Sequence, residues 1–388
     1  MKDLRVALFT GNYNYIRDGA SLTLNRLVKY LESQNIPVLV FAPDVDEPAF
    51  EHNGTMIGTP SIPMLVPGRD EYRIAYSFPK SARKKLEEFK PTIVHVATPD
   101  GLGTGALKWA RKNKIAAVTS YHTHFLSYAS YYRLLQGPVT LFTKLFMKWF
   151  YKKFIHTYVP SQSMITELNE FGLKGEKKIW ARGINLDLFN PSKRDMEWRR
   201  SVGFKDDDIV VTFVSRLVWE KELNTYIESV KRVQESNSKV RALVVGDGPA
   251  QKEVEEKLPE AHFTGFVTGE ELAKAYASSD VFLFPSHTET FGNVTLEAMA
   301  SGLPCLVADA IGSKSLVEDG LNGKWAEKKD INDFSEKLEW IISNENRMKE
   351  MGIKSREMAT EYDWDKINAG LVNNYQEAIE FQKLKNQG

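Results

Sequence analysis

Two kinds of segment alternate along most of the chain: short runs of apolar and β-branched residues, and longer stretches with apolar residues every three or four positions. In the first half, the short runs predict strands at residues 6–9, 38–41, 93–96, 116–118 and 157–159. Helical spacing begins at Gly19 and returns at about residues 101–113 and 138–154. Prolines between Pro43 and Pro67 predict excursions from the sheet. Repeated strand–helix units indicate a parallel sheet covered by helices.

A second series of the same kind follows an interruption at Asn190-Pro191-Ser192. Its short runs predict strands at residues 209–214, 242–245, 262–263, 281–284 and 305–307. We therefore expect an α/β protein of two facing, Rossmann-like, doubly wound domains, over residues 1–190 and 191–363. The last segment, residues 364–388, is expected to form a helix that packs back on the first domain. Because ligands bind beyond the carboxyl ends of parallel strands, the site is expected between the domains.

Composition excludes some classes of protein without indicating a function. The chain has 388 residues, which is long enough for two domains. Its 51 Lys and Arg residues balance 51 Asp and Glu residues, so the basic excess of a dedicated nucleic-acid binder is missing and no nucleic-acid partner is expected. The single cysteine, Cys305, excludes an internal disulfide and a cysteine-based metal site.

Neither a membrane span nor an export signal is predicted. No apolar run approaches the roughly 18 residues that a span needs, and the first residues lack the apolar stretch and cleavage site of a signal peptide. A single cysteine also suits a reducing compartment. We expect a cytoplasmic protein, and peripheral attachment to the inner face of a membrane remains compatible with that expectation.

The most informative segment is the string S-H-T-E-T-F-G-N-V-T-L-E-A-M-A-S-G-L-P, which begins at Ser286. A predicted buried strand leads into a loop with Glu289, then Gly292 opens a helix, and Glu297 lies over the second turn of that helix. The first backbone N–H groups of a helix bind anions. The segment therefore offers amides for a diphosphate and carboxylates for sugar and ribose hydroxyls. Taken alone, the two glutamates would be interpreted as a helix cap and a solvated helical face.

The complete string, with a strand before it and glycine at the turn, resembles the E-x7-E signature of retaining glycosyltransferases of family 4, which have the GT-B fold. The resemblance covers almost the whole chain and implies that the second domain binds a nucleotide sugar and that the first domain binds the acceptor. It implies a catalytic role for Glu289. It also implies donor-binding roles for Phe291, Gly292, Asn293, Val294 and Glu297.

Two cations follow the first strand of the second series, in the string S-R-L-V-W-E-K that starts at Ser215. A departing diphosphate needs such charges, although a solvated Arg and a Lys paired with Glu220 or Glu222 explain the string as well. In the family, a G-R-x3-E-K pattern supplies the diphosphate-binding Arg and Lys. The resemblance therefore implies catalytic roles for Arg216 and Lys221, with Ser215 in place of the usual Gly.

Two turns of the second series are expected to wall the nucleotide base. One turn, G-D-G-P, starts at Gly246, and the other, G-F-V-T, contains Phe266 and precedes a predicted helix with Leu272. As bare patterns both strings are ordinary turns. The resemblance implies donor-binding roles for Gly246, Phe266 and Leu272.

In the first domain, His122 follows a predicted strand at a position where family members carry a His. A histidine there is expected to hydrogen-bond a sugar hydroxyl or the acceptor, and the resemblance implies a catalytic role. His124 remains structural or acceptor-side, because a metal site for the pair would lack further ligands nearby. Gly19 is expected to let an anion approach a helix start. Asp18 stands where the family usually has Gly, and it would either repel phosphate or hydrogen-bond the acceptor.

Three short acidic strings of the D-x-D type do not predict a metal site. They are Asp44-Val45-Asp46, Asp206-Asp207-Asp208 and Asp363-Trp364-Asp365, and such strings are usually solvated turns or helix caps. We expect metal-independent catalysis with no cofactor, the nucleotide sugar being a co-substrate. Arg216, Lys221 and the helix start would neutralise its diphosphate. Ser315 stands where the family often has an acidic residue, which leaves the sugar open.

Lys144, Lys148 and Lys152 recur every four residues in a segment rich in aromatic side chains. A core helix with a solvated lysine face explains this pattern. The alternative is an interfacial helix that docks on anionic lipid and brings a lipid acceptor to the site. Short strings at residues 120–124 and 275–282 look closest to the glycosyl and sulfoquinovosyl diacylglycerol synthases and related mannosyltransferases of the family.

The resemblance implies a hexosyltransferase that retains configuration and uses a nucleotide diphosphate sugar, with UDP-glucose favoured. The expected acceptor is a membrane lipid such as diacylglycerol. Alternatives are a mannosyltransferase that uses GDP-mannose on a soluble or polyprenyl-linked glycan, a GT-B nucleotide-sugar epimerase, and a non-catalytic nucleotide-sugar-binding protein. In the front-face mechanism that the family implies, a departing diphosphate oxygen accepts the proton of the acceptor, so no protein base is required.

Overall fold

The computed structural model describes residues 3–16, 18–64, 72–121, 136–289, 291–310 and 312–387. The chain divides into two compact units. The first unit comprises Met1–Trp180 and Ile367–Gly388, and the second comprises Ala181–Lys366.

The strands of the first unit are β1 (Val6–Phe9), β2 (Val38–Pro43), β3 (Thr55–Thr59), β4 (Ser61–Pro63), β5 (Arg73–Ala75), β6 (Ile93–Val96), β7 (Ala116–Ser120), β8 (His156–Val159) and β9 (Glu176–Ile179). Its helices are α1 (Gly19–Ser33), α2 (Lys80–Phe89), α3 (Gly101–Lys112), α4 (Gln136–Tyr151) and α5 (Gln162–Glu170). Seven strands form a parallel sheet in the order β3-β2-β1-β6-β7-β8-β9, and β4 and β5 form an antiparallel hairpin.

The strands of the second unit are β10 (Ile209–Val214), β11 (Val240–Val245), β12 (His262–Gly265), β13 (Val281–Phe284), β14 (Cys305–Ala308) and β15 (Gly323–Ala326). Its helices are α6 (Met196–Ser201), α7 (Leu223–Ser236), α8 (Gln251–Lys257), α9 (Gly269–Ala277), α10 (Asn293–Ala300), α11 (Ile331–Ile342) and α12 (Glu345–Ala359), and the final helix is α13 (Trp364–Gln387). The six strands are parallel, in the order β12-β11-β10-β13-β14-β15.

Each large sheet reverses its direction of growth once. In the first sheet, β2 and β3 lie on one side of β1, and the later strands, beginning with β6, lie on its other side. In the second sheet, β11 and β12 lie on one side of β10, and the later strands, beginning with β13, lie on its other side. The loops that follow the two neighbouring strands therefore diverge, which opens a crevice at the carboxyl edge of the sheet. The prediction of two Rossmann-like parallel-sheet domains is confirmed.

The central strands are buried on both faces, as a helix-covered parallel sheet requires. In β1, Ala7 and Phe9 join one core cluster, whereas Val6 and Leu8 join the cluster on the opposite face. All the strands predicted from apolar runs are present. Those missed include β3, β9 and β15, which lie at sheet edges. An edge strand has one unpaired side and here carries polar residues, so it shows no continuous apolar run. The predicted excursion after Pro43 was wrong for β3.

Residues 181–190 belong to the second unit, ten residues earlier than the sequence had placed the boundary. Ile184 donates its backbone N–H to the carbonyl of Tyr362 at 2.7 Å. The Arg356 guanidinium donates to the carbonyls of Phe189 and Ala300, both at 2.7 Å. These contacts fasten a segment without regular structure to the second unit, and no periodic pattern in the sequence reports them.

Helix α13 starts in the second unit and then packs on the large sheet of the first. Its residues Leu371, Val372, Tyr375 and Ala378 join a core cluster with β1 and β2. The ring of His95, on β6, is completely buried and hydrogen-bonds with the Tyr375 hydroxyl at 2.6 Å and with Ser120 Oγ at 2.9 Å. Burial lowers the pKa of His95 to about 3.

The buried His95 makes stability depend on pH. The unfolded chain protonates this residue below about pH 6.5, whereas the folded chain does so only near the depressed pKa, so acidification favours the unfolded state. We expect the wild type to lose about 2 kcal/mol more unfolding free energy than a His95→Gln variant between about pH 7.5 and about pH 5. Urea unfolding at both values measures the difference. Equal losses in the two proteins would contradict the assignment.

Candidate active site

A polar cluster of the second unit lies where β10 and β13 end side by side. Lys221 closes a short 3-10 turn, Trp219–Lys221, after β10, and Glu289 lies on the loop after β13. The Lys221 Nζ atom is 2.5 Å from Glu289 Oε1, and Ser286 Oγ donates to the same oxygen at 3.1 Å. The two side chains are only 16% and 20% exposed. Two predicted catalytic residues that are 68 positions apart therefore meet at the crevice.

Two residues that the sequence analysis did not select support this pair. Glu222 follows Lys221 in the left-handed conformation, with φ 57°, which is uncommon for a residue other than glycine. Its carboxylate lies 3.3 Å from His287 Nδ1 and 3.6 Å from Lys329 Nζ. The contact between Glu222 and His287 is thus a second polar link between the loop after β10 and the loop after β13. The sequence analysis named Glu222 only as a possible partner of Lys221, and the only signal for His287 was its position two residues before Glu289.

Arg216 lies earlier on the loop after β10, where its side chain is 75% exposed and 3.6 Å from Glu220. An exposed ion pair of this kind contributes little to stability. The structure thus brings Lys221 to Glu289 and leaves Arg216 at the surface of the same loop.

Helix α10 begins beside Glu289. Gly292 precedes its first residue with φ 92° and ψ 56°, a left-handed conformation that favours glycine. Among the described residues, no side chain caps this helix start. Asn293 is exposed and Val294 is half-buried, so the first turn is accessible. Phe291 is buried, with its ring packed 5.9 Å from the ring of Tyr362, and it anchors the loop from inside.

Glu297 lies one turn further along α10 and is half-buried. The hydroxyl of Tyr276, on α9, donates to Glu297 Oε2 at 3.0 Å. Burial first, and then the nearby Glu297 carboxylate, raise the pKa of Tyr276 well above its usual value, so the phenol stays a donor. Tyr276 fixes the direction of this carboxylate. It was quoted in a family string but not selected as a site residue.

Two glycines let the site loops approach one another. A Cβ atom at Gly312 would lie 2.0 Å from the backbone oxygen of Glu289, and one at Gly246 would lie 2.0 Å from that of Ser215. No side chain fits at either distance. Ser215 is tolerated where the family usually has Gly because the contact uses its backbone, whose N–H also donates to Val245.

The comparison with protein families agrees with this geometry. The family described as Glycosyl transferases group 1 matches residues 195–358, and Glycosyltransferase Family 4 matches residues 17–188. The chain belongs to this glycosyltransferase family. The resemblance predicted from the E-x7-E string and the two cations is confirmed.

Curated relatives span nearly the full length of the glycosyltransferase. A GDP-mannose-dependent alpha-mannosyltransferase of Corynebacterium glutamicum is 31% identical over 98% of this chain and 90% of its own length. The sulfoquinovosyl transferase SQD2 of Arabidopsis thaliana is 30% identical over 99% of this chain and 76% of its own. An alpha-monoglucosyldiacylglycerol synthase of Streptococcus pneumoniae is 27% identical, with 82% and 74% covered.

Solved structures share the fold. Sucrose-phosphate synthase of Thermosynechococcus elongatus aligns with a TM-score of 0.72 at 18% identity, covering 96% of this chain and 98% of its own. HepE of Anabaena, in complex with UDP, aligns with a TM-score of 0.71 at 18% identity, covering 96% of this chain and 100% of its own. The expected GT-B architecture is thereby confirmed for the glycosyltransferase.

The residues predicted to wall the base differ in exposure in the glycosyltransferase structure. The ring of Phe266 is 72% exposed, directly after β12, and Leu272 is half-buried on α9. The backbone N–H of Gly246 donates to the Gly265 carbonyl at 2.9 Å, which joins the two turns. Their part in binding a base stays a prediction.

In the first unit, Asp18 caps helix α1. Its carboxylate accepts hydrogen bonds from Ser21 N at 2.7 Å, Asn12 Nδ2 at 2.8 Å and the Tyr72 hydroxyl at 3.3 Å. This carboxylate occupies the helix start that Gly19, the first residue of α1, was expected to offer to an anion. His122 and His124 lie outside the described residues.

In two of the three acidic strings, side chains have partners within the protein. Asp206 pairs with Arg200 at 2.8 Å, Asp207 pairs with Lys239 at 2.9 Å, and Asp363 accepts the backbone N–H of Asp365 at 2.9 Å. In the described part of the chain, no group of three or more His, Cys, Asp or Glu side chains is placed to hold a metal ion. Gly312 accepts a hydrogen bond from Ser315 Oγ at 2.7 Å, so Ser315 braces the glycine turn.

Gly312→Ala tests the close approach of the two loops. The added methyl group would collide with the backbone of Glu289, so we expect a loss of about 1–3 kcal/mol in unfolding free energy. Gly370, on α13, is the matched control because no heavy atom outside its chain neighbours and its own helix backbone lies within 4 Å of its Cβ position. Gly370→Ala should gain about 0.5–1 kcal/mol, since alanine favours helix. Thermal unfolding measures both, and equal melting temperatures would contradict the close approach.

Proposed function

We propose that this glycosyltransferase moves a hexose, with retention of configuration, from a nucleotide diphosphate sugar of the UDP-glucose type to a hydroxyl group of a membrane lipid. The observation that carries the donor half is the pairing of Lys221 with Glu289 beside the uncapped start of α10. A cation, a carboxylate and helix amides together suit a diphosphate that carries a sugar.

In the structure, Lys221 and Glu289 form an ion pair with each other. A bound donor would break this pair, and each side chain would then contact a different part of the donor. The diphosphate, with its larger negative charge, would take the ammonium group of Lys221 and the first amides of α10. The freed carboxylate of Glu289 would accept hydrogen bonds from sugar hydroxyls. Arg216, which extends from the same loop with 75% of its side chain exposed, has room to turn toward the diphosphate.

The proposed transfer breaks the bond between the anomeric carbon and the diphosphate oxygen. A bond forms between that carbon and the acceptor oxygen on the same face of the sugar, and the acceptor proton passes to the departing diphosphate oxygen. Positive groups that stabilise this leaving oxygen then lower the barrier without a protein base. The proposal includes independence from metal ions, with Lys221, Arg216 and α10 supplying the charge.

Glu297 is proposed to bind the ribose of the donor. Its half-buried carboxylate is oriented by the Tyr276 hydroxyl and lies one helical turn from the start of α10. A carboxylate accepts hydrogen bonds from a vicinal diol, and that geometry fits a ribose whose diphosphate lies at the helix start.

Lys221→Ala is expected to lower kcat by about 10²–10³ at saturating donor, because one preformed charge on the leaving group is removed. Lys239→Ala, which removes a cation paired with Asp207, is the control and should leave kcat unchanged. Mass spectrometry of product formed from a panel of nucleotide sugars measures the rates, with EDTA in a parallel series. Near-wild-type turnover in Lys221→Ala would contradict the proposed role, and inactivation by EDTA would contradict metal independence.

The proposed lipid acceptor is supported by the outer face of α4. Leu141, Leu145 and Trp149 recur every four residues along this helix and are 58%, 59% and 37% exposed. The opposite face is anchored in the core through Met147, Phe150 and Tyr151. An exposed apolar stripe on a helix that already has a packed face marks an interaction surface, and flanking cations suit it to anionic lipid.

The lysine stripe is partly used by the fold itself. The ammonium groups of Lys144 and Lys148 lie 5.8 Å and 5.3 Å from the centre of the Phe171 ring. Lys153 lies 3.4 Å from the ring centre of Trp149. Burial lowers the pKa of Lys153, and repulsion from Arg111, Lys152 and Lys108 adds to that shift, which places several cations around this end of α4. In the described part of the chain, no helix is long and apolar enough to cross a membrane.

A second candidate donor and acceptor is favoured by a specific finding. The relative from Corynebacterium glutamicum, which matches 98% of this chain, is named a GDP-mannose-dependent mannosyltransferase. The relative from Streptococcus pneumoniae is named for diacylglycerol. UDP-glucose and GDP-mannose, each offered with diacylglycerol vesicles and with soluble glycans, separate the two candidates by the mass of the product.

The exposed stripe of α4 predicts binding to anionic vesicles. We expect the wild type to sediment with phosphatidylglycerol vesicles, less so at high salt, because lysines near the surface each contribute about 1 kcal/mol. Replacing Leu141 and Leu145 by Ser should weaken binding by about tenfold or more. Ile353→Ser, at an apolar position that is 61% exposed in the second unit, is the control. An unbound wild type, or equal binding of the double variant, would contradict a membrane surface on α4.

A further inference from the structure

A pocket of about 230 Å³ opens at the crevice of the first sheet. Gly11 and Asn12, which follow β1, form one side, and Thr98, Pro99 and Asp100, which follow β6, form another. These strands are the neighbours at which the first sheet reverses its growth. The pocket therefore occupies the position at which parallel α/β sheets bind ligands.

Most of the pocket surface is apolar. The β4–β5 hairpin and the residue after β4 contribute Met64 and Ile74, and helix α4 contributes Phe146 and Met147. The volume is below the roughly 300–1,000 Å³ of pockets that enclose a whole small ligand. The pocket thus fits one end of a larger molecule, with the rest of that molecule outside.

Asp100 supplies a carboxylate to this apolar pocket. It caps α3 by accepting Gly103 N at 2.7 Å, and its Oδ2 atom accepts the Thr98 hydroxyl at 3.0 Å. Asp100 lines the pocket, and part of its surface stays accessible. Burial of its carboxyl group raises the pKa of that group to about 7. A carboxylate oxygen accepts more than one hydrogen bond, so capacity remains for a donor from a ligand.

Gly11 keeps the approach to that oxygen open. A Cβ atom at this position would lie 3.0 Å from Asp100 Oδ2 and 3.3 Å from Thr98 Oγ1. Hydrogen bonds also hold the surrounding loop: Tyr15 donates its hydroxyl to the Gly11 carbonyl at 2.9 Å and accepts Arg73 N at 3.0 Å. The pocket is thus formed before any ligand binds, which limits the entropy cost of binding.

The chemistry of the pocket differs from that of the site in the second unit. There, a helix start without a side-chain cap lies beside a lysine, which suits an anion. Here, the starts of α1 and α3 are both occupied by carboxylates, Asp18 and Asp100. Carboxylates at these positions disfavour a phosphate and favour a neutral hydrogen-bond donor such as a hydroxyl group.

We propose that this pocket binds the acceptor of the transferase as an alcohol on an apolar body, with the acceptor hydroxyl donating a hydrogen bond to Asp100. The proposal rests on the proposed function and specifies the substrate class of its acceptor. Asp100 holds and orients the hydroxyl, and the proton still leaves with the diphosphate. Helix α4 links the pocket to lipid, since Phe146 and Met147 line it while Leu141 and Leu145 are exposed on the same helix.

The test uses the full chain, the donor that proves active, and 1,2-dioctanoylglycerol as acceptor probe. Asp100→Asn retains a helix-capping side chain but weakens the acceptor site, so we expect the acceptor KM to rise about tenfold or more with a smaller change in kcat. Gly11→Ala should raise the same KM by covering the carboxylate. Asp330→Asn, the same substitution at the cap of α11, is the matched control and should leave it unchanged.

The pH profile adds a readout that a purely structural role would not move. Ionised Asp100 accepts the hydroxyl, so the acceptor KM should fall as pH rises through about 7, and Asp100→Asn should remove this dependence. Among the residues that the structure describes, the other titratable or charged groups around the pocket are Tyr15, Asp18, Tyr72 and Arg73, and they are unchanged in the variant. Burial raises the pKa of Tyr15 to about 12, away from this range.

Binding of UDP, measured by titration calorimetry, separates failure of this inference from failure of the proposed function. Unaltered UDP binding and wild-type acceptor KM in both Asp100→Asn and Gly11→Ala would overturn the acceptor pocket while leaving the transferase intact. Preference for methyl glucoside over the diacylglycerol would overturn the apolar substrate class. A wild type that transfers no sugar to any acceptor would overturn the proposed function itself.

Discussion

Both halves of this protein depend on one topological constraint: a parallel sheet that reverses its direction of growth leaves two neighbouring strands with diverging loops. β1 and β6 are such a pair in the first sheet, and β10 and β13 are the pair in the second. Both strands of a pair point toward the same edge, so residues far apart in sequence arrive within a few ångströms of one another. Lys221 and Glu289 meet in this way, and so do Gly11 and Asp100.

The two crevices suit ligands of different charge because different groups lie at the helix starts that border them. Gly292 gives α10 an accessible first turn next to a lysine. In the first unit, the carboxyl groups of Asp18 and Asp100 accept hydrogen bonds from backbone N–H groups at the starts of α1 and α3. The dipole of a helix favours negative charge at its N-terminus, and that preference is already satisfied in the first unit. This contrast favours an anionic donor in one unit and an uncharged hydroxyl in the other.

Close backbone contacts hold the loops of the proposed donor site in place. At Gly246 and Gly312 a single methyl group would meet a carbonyl oxygen at 2.0 Å, so the loops that carry Arg216 and Glu289 are each pressed against a glycine turn. The contact of Glu222 with His287 adds a polar link between the loops after β10 and β13. Charges held in advance need little reorganisation when a leaving group develops negative charge, which is the basis of electrostatic catalysis.

The sequence by itself determined the two parallel-sheet domains, their central strands and the family, because buried strands need continuous apolar runs and the family motif fixes residue types at fixed spacing. It missed β3, β9 and β15, since edge strands lack that pattern. The sequence also indicated Lys221 and Glu289 as site residues, but it did not predict that their side chains contact each other. Only the tertiary structure decided that Asp18 caps α1, that Phe291 is buried and that Asp100 lies in an apolar pocket. These outcomes depend on which loops meet at the sheet edge, and no local pattern encodes a contact between distant loops.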